Sequence, residues 1–138
     1  MIWGIGTDIV CVARVGAVAK RWGDRFFRRA YHEAEIDAVK ALMGETDGMR
    51  VQEFLATRWA VKESVYKALG DRDVQRVARF PEIQLVSGSP GDRVPVTVKL
   101  SGETKSASRK AGIGHIHVST SHDGGYAIAY VTIERATK

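Results

Sequence analysis

The sequence holds one cysteine, Cys11, so no internal disulfide can staple it. A reducing compartment is the expected setting, with the soluble cytoplasm as the default. No apolar run approaches the ~18 residues of a membrane span. The opening Met-Ile-Trp-Gly-Ile-Gly carries neither a basic leader nor a signal-type apolar core. Acids are the scarcer charge: 16 Asp and Glu stand against 21 Lys and Arg, for a formal charge of +5. That shortage points to an acidic partner, whether nucleic acid, membrane surface, phosphorylated ligand or acidic protein. Several chemical signatures are also missing. There is no Walker loop and no zinc-ribbon spacing. His115-x-His117 has no third ligand cluster beside it. Ser119, Ser121 and His122 lack a nucleophile elbow, and neighbours on a strand face opposite ways. Gly4-x-Gly6 lies within a strand and lacks the third glycine of a dinucleotide fingerprint. The aromatics are scattered rather than alternating with basic residues, which argues against a stacking surface for nucleic acid.

What remains is an ordinary globular composition, 44% hydrophobic and 27% charged, and 138 residues suit one domain, 1–138, with its own core. Residues 2–10 alternate as a strand, with Trp3, Ile5, Thr7 and Ile9 on one face and Gly4, Gly6, Asp8 and Val10 on the other. The spacing predicts helices over 12–22 (Val12, Val15, Val18, Ala19 and Trp22 inward), 34–43 and 103–111. Residues 44–48 and 87–92 read as loops, and 71–80 as loop with one turn of helix. Strands are predicted at 82–86 and 94–100, with Pro95 favouring an edge or first position. A hairpin of 116–122 and 126–133 turns across Asp123-Gly-Gly125.

The most informative stretch is 54–70, a helix whose two apolar stripes predict burial on most of its circumference. Arg58, Lys62, Glu63 and Lys67 nevertheless sit in it. Ala56, Ala60, Glu63 and Lys67 share one line, leaving open space beside the charges. Either Glu63 and Lys67 form a common i, i+4 pair, worth ~0.2–0.5 kcal/mol, or the charges bind something. Asp8 is likewise either a solvated strand end or a group brought close to a ligand or another backbone by the glycines behind it. Between Ala13 and Ala30 six basic residues, Arg14, Lys20, Arg21, Arg25, Arg28 and Arg29, face one acid, Asp24. Arg14 and Arg21, seven apart, share a side, and a mild turn at Gly23 would let Arg25 and Arg28 extend the stripe, as a solvated face or a docking surface. Asp8 and Glu63, flanked by Lys62, Lys67 and His122, would suit Mg²⁺ and phosphate.

These residues carry a resemblance along nearly the whole chain. It begins with Gly4-Ile-Gly-Thr-Asp8-Ile-Val and Arg14, and continues through Arg25-Phe26 and Glu35. The core is Phe54-Leu-Ala-Thr-Arg58-Trp-Ala-Val-Lys62-Glu63-Ser-Val-Tyr-Lys67-Ala-Leu-Gly70, and the match closes on His117-Val-Ser-Thr-Ser-His122 and Glu134. The chain resembles holo-acyl-carrier-protein synthase, the small bacterial-type 4′-phosphopantetheinyl transferase. The resemblance implies an α+β fold, an antiparallel or mixed sheet wrapped around a long central helix. It implies transfer of phosphopantetheine from coenzyme A to a serine of an acidic apo acyl carrier protein, with adenosine 3′,5′-bisphosphate released. Asp8 and Glu63 are then the Mg²⁺ (or Mn²⁺) ligands, and Glu63, Lys67 and His122 the catalytic set. Arg58, Lys62, Lys67 and His122 are the coenzyme A contacts, Arg14, Arg21 and Arg25 the carrier dock, and the assembly a homotrimer with sites between subunits. The alternative is a coenzyme A-binding or basic protein-interaction module without turnover. The chain departs from the pattern after Gly70, where Asp71-Arg-Asp-Val replaces a Thr-Gly loop and leaves Arg72 or Arg76 as nucleotide contacts. Ser64 replaces a usual alanine, and Gly91-Asp-Arg-Val-Pro95 lengthens a Gly-Lys-Pro turn.

Overall fold

The computed structural model describes residues 1–45, 48–87 and 94–138. In chain order the elements are β1 (Ile2–Cys11), α1 (Val12–Trp22), α2 (Asp24–Ala30), α3 (Glu33–Glu45), α4 (Gly48–Leu69) and α5 (Arg72–Val77). A 3₁₀ turn (Phe80–Glu82) leads into β2 (Ile83–Val86), β3 (Thr97–Leu100), α6 (Gly102–Ala111), β4 (Ile113–Asp123) and β5 (Tyr126–Arg135). The described strands form two sheets, β1-β5-β4 and β2-β3, and every pairing is antiparallel. The α+β expectation therefore holds, with no parallel pair among the described strands.

Helix α4 lies on one face of the three-stranded sheet, packed on β1 and β5. Strand β5 alternates as a half-buried strand must. Ala127, Ala129, Val131 and Ile133 are buried with Val61, Val65, Ala68 and Leu69 of α4, whereas Tyr126, Ile128 and Tyr130 are exposed on the opposite face. Ile5 and Ile9 of β1, the register partners of Thr132 and Ile128, are exposed with them. The hydroxyl of Ser64, the departure from alanine, donates to the Ala129 carbonyl at 3.1 Å and ties the helix to the middle strand.

Some boundaries differ from those read in the sequence. Helix α4 starts at Gly48, six residues before Phe54, and α3 runs on through Gly44, so the expected 44–48 loop shrinks; residues 46–47 lie outside the described residues. The expected turn at 87–92 likewise falls largely outside them, and β3 begins at Thr97 rather than 94. Trp3 leaves the face of Ile5 and Ile9 because the register shifts between Ile2 and Gly4. Its indole nitrogen donates to the Leu69 carbonyl at 2.7 Å. Trp22, expected inward, is 47% exposed, since α1 stops at Gly23 (φ +50) and the chain turns into α2. The polar stretch after Gly70 does form a helix. Asp71 caps α5, its side chain accepting from Asp73 N at 2.9 Å and Val74 N at 3.1 Å. In α6 the neighbouring Ser101 makes no cap bond. The distant Glu82 carboxylate accepts from Glu103 N, Thr104 N and the Thr104 hydroxyl instead.

Candidate active site

The glycines of β1 serve the helix. A Cβ on Gly6 would lie 2.0 Å from the Ser64 carbonyl oxygen, and one on Gly4 2.1 Å from that of Ala68. Only strand residues without side chains allow α4 to settle this close. Asp8 follows Gly6 by two residues and so shares its face, while Glu63 directly precedes Ser64. The Glu63 carboxyl is pushed above the ordinary carboxylate range, first by burial and then by the charge of Asp8, with Lys67 and Arg14 pulling the other way. Four charged groups thus meet at one place. Lys67 Nζ donates to Asp8 Oδ1 at 3.0 Å and to the Thr7 carbonyl at 2.9 Å. Its ion pair bridges two elements, which replaces the ordinary pairing with Glu63 within the helix.

Among the described residues no group of three or more His, Cys, Asp or Glu side chains could cage a metal ion. A zinc or calcium cage is thus not built from them. Two carboxylates with cations beside them do suit an ion that retains waters and completes its octahedron with phosphate oxygens, which is the habit of Mg²⁺.

Three expected ligand contacts stand elsewhere. Lys62 is fully buried, its ammonium donating to Glu35 Oε1 at 2.6 Å, to the Phe80 carbonyl at 3.0 Å and to the Ile83 carbonyl. All three of its donors are used within the chain, so the expectation that Lys62 contacts coenzyme A is corrected: it is a structural cation. Burial lowers its pKa, and the neighbouring Glu35 opposes the fall. Arg58 lies one turn before Lys62 on that side of α4, roughly 140° around from Glu63. Its guanidinium carbon sits 3.5 Å from the Phe54 ring centroid, beside a cavity of about 150 Å³ lined also by Ala34, Glu35 and Leu85. His122 is paired with Ala127, two strands away from β1, where Asp8 pairs with Ala129. Two strand spacings, ~9.6 Å, separate its strand from that of Asp8, and its exposed side chain meets neither carboxylate in this chain.

The basic stripe borders the site. Arg14 is near enough for Glu63 to feel its charge, and with Val15, Val18, Phe26 and Trp59 it lines a groove of about 220 Å³. Phe26 also belongs to a second groove of about 210 Å³ with Trp22, Arg25 and Arg29. The guanidinium carbons of Arg21 and Arg25 lie 5.0 and 5.6 Å from the centroid of the Trp22 ring. The residue to which sequence reasoning gave no role is Glu35, which the resemblance includes and which is buried and shared by Lys62 and Arg58. The signal was there: a lysine inside a doubly apolar helix demands a carboxylate partner.

With this geometry in view, comparisons with known proteins bear on its meaning. The family described as the 4′-phosphopantetheinyl transferase superfamily matches residues 4–131. A holo-[acyl-carrier-protein] synthase of Hydrogenovibrio crunogenus is 33% identical over 134 residues, 97% of this chain and 98% of that protein. The solved holo-[acyl-carrier-protein] synthase of Neisseria meningitidis superposes with a TM-score of 0.78 at 26% identity, covering 98% of this chain and 100% of that one. That of Helicobacter pylori, in complex with coenzyme A, gives 0.70 at 27% identity, covering 94% and 99%. The matched span runs from Gly4 through Asp8 and Glu63 to Val131, and the chain belongs to the 4′-phosphopantetheinyl transferase superfamily.

Proposed function

We propose that this protein is a holo-acyl-carrier-protein synthase, transferring 4′-phosphopantetheine from coenzyme A to a serine hydroxyl of an apo acyl carrier protein. The observation that carries the reading is the convergence of Asp8 and Glu63, distant in sequence, beside Lys67. The relatives' names and the coenzyme A complex of the Helicobacter pylori protein support it.

Asp8 and Glu63 would hold Mg²⁺, or Mn²⁺ in its place, which when bound neutralises charge on the coenzyme A diphosphate. Glu63, directly or through a water held on the ion, would accept the serine proton. The serine oxygen bonds to the phosphorus on the pantetheine side of the diphosphate. The bridge to the adenosine-side phosphate breaks, and adenosine 3′,5′-bisphosphate departs. Lys67, half exposed and already held at Asp8, turns its ammonium to the departing phosphate. Arg14, Arg21 and Arg25 dock the acidic carrier. The cytoplasm is the proposed compartment.

We propose a homotrimer as the working assembly. Ile5, Ile9, Tyr126, Ile128 and Tyr130 expose a contiguous apolar face on a small domain, and such faces mark protein contacts. Arg58 and His122, which do not reach Glu63 within the chain, would then serve a coenzyme A bound to a neighbour. The decisive experiment incubates the protein with coenzyme A, Mg²⁺ and several apo carrier proteins, and follows the carriers by mass spectrometry. A carrier gaining one phosphopantetheine group is the expected result. Coenzyme A binding with no gain on any carrier would leave only the binding-module reading.

A further inference from the structure

Behind the proposed site, on the other side of α4, lies a second set of charges that the chemistry above does not use. Glu35 is buried, and its two oxygens are divided. Oε1 accepts from Lys62 Nζ at 2.6 Å and from His32 N at 2.9 Å; Oε2 accepts from Leu85 N at 3.2 Å. Arg58 Nε stands 3.9 Å from Oε2, close enough for attraction and too far for a hydrogen bond. That nitrogen is buried and has no hydrogen-bond partner among the described residues. Two cations thus share one carboxylate, and the Tyr31 hydroxyl, bonded to the Leu55 carbonyl at 2.8 Å, is neutral. Among the described residues one positive charge is left over in this set, on a guanidinium stacked against Phe54 at the edge of a cavity.

The division has a chemical consequence. A carboxylate left alone with a guanidinium takes it in a bidentate pair, which uses two of its five donors and fixes the plane of the group on the carboxylate. Lys62 prevents this by holding Oε1, so that Arg58 is attracted to Glu35 without being bonded by it. We infer that Glu35 and Lys62 are positioning residues that act through Arg58, keeping its guanidinium oriented and its donors free for an anionic group of coenzyme A. The inference rests on the proposed transferase reading, with Arg58 serving the cofactor of a neighbouring chain. It assigns the buried lysine a purpose that stability alone does not supply, because apolar replacement of a buried ion pair is often neutral or stabilising.

The test uses the full-length enzyme with coenzyme A and carrier varied separately. Lys62→Met leaves a balanced Glu35–Arg58 pair. It should fold normally and raise the KM for coenzyme A about tenfold, as expected when a charge-assisted contact is lost. The kcat and the KM for carrier should stay within about twofold, a spread too small to signal a lost contact. Arg58→Gln should give a similar rise, and the two together no more than Arg58→Gln alone, since both act through one group. The paired variant Glu35→Gln with Lys62→Met keeps Arg58 as the one charge of this set, and should also raise the KM for coenzyme A. An unchanged KM for coenzyme A, effects that multiply, or a parallel decline of kcat and both KM values would overturn the proposal. So would failure of both Lys62 variants to fold, which would assign the pair to stability alone. Absence of turnover in the unaltered protein would instead refute the transferase reading.

Discussion

Asp8 and Glu63 would be unremarkable surface acids if either stood alone. Each matters because the other is close, and because burial keeps water from damping their repulsion. Asp8→Asn and Glu63→Gln should each lower turnover by about 10²-fold or more, the scale of a lost general base, with unchanged circular dichroism. Wild-type turnover in either variant would remove both from the mechanism. Their convergence was open to sequence reasoning, since a carboxylate inside a two-striped helix and another behind strand glycines both call for a partner. The partner of each cation was not. Lys67 lay at the ideal spacing for Glu63 and chose Asp8, and Lys62 chose Glu35, 27 residues away. Local spacing ranks neighbours within an element, whereas tertiary packing decides which pair excludes water.

Helix α4 meets β1 through backbone, so its position depends on the absence of two methyl groups. Gly6→Ala should force the helix outward, costing roughly 1–3 kcal/mol as overpacking does. The turnover should fall further than stability explains, because a displacement of ~1 Å in a reacting group costs about 10²-fold. Gly44→Ala is the matched control: a Cβ there meets nothing within 4 Å, and stability should hold or rise. Equal effects of the two changes in thermal melts and assays would dismiss the close-approach argument. At α6, partial burial raises the Glu82 pKa, but the bonds from Thr104 and Glu103 outweigh it and hold the carboxyl below its usual range. A depressed carboxylate pKa contributes stability that is complete above the unfolded value and is lost as pH falls through the folded one. Between about pH 5 and 3 the wild type should therefore lose more thermal stability than Glu82→Gln, which has no proton to gain. Parallel curves would mean that Glu82 is not the cap. The strand glycines had signalled a close approach by a ligand or another backbone without naming α4, whereas the cap of α6 was not readable beforehand. The expected α6 start fell within one residue of the observed one, but a cap supplied from 21 residues away leaves no local pattern.

For the molecule as a whole, two surfaces remain unaccounted for within one chain, the apolar sheet face and the basic stripe. Light scattering at micromolar concentration should give three times the chain mass. Ile128→Lys, which places a charge in the middle of the apolar face, should yield monomers with little turnover despite intact Asp8 and Glu63. A monomer at full activity would exclude shared sites. The stripe is tested with salt. The wild-type KM for carrier should rise with ionic strength, and Arg21→Ala should start higher and rise less steeply, having less charge to screen. Identical salt profiles would reduce the stripe to a solvated face. Composition signalled the excess of base, and alternation placed Ile5 and Ile9 together. Which face of the sheet α4 would cover was decided by the glycines and could not be read from alternation alone.

The meeting of β1 with α4 has one more implication. Gly4 answers to Ala68 and Gly6 to Ser64, so two steps of strand, ~6.8 Å, are laid against four of helix, ~6.0 Å. The two rulers nearly coincide over this length and run in opposite directions, like the scales of a vernier. Inserting a single residue into either ruler between its marks would throw them out of step. The gap between the acids is therefore set by the spacing of the two backbones and not by the side chains around them.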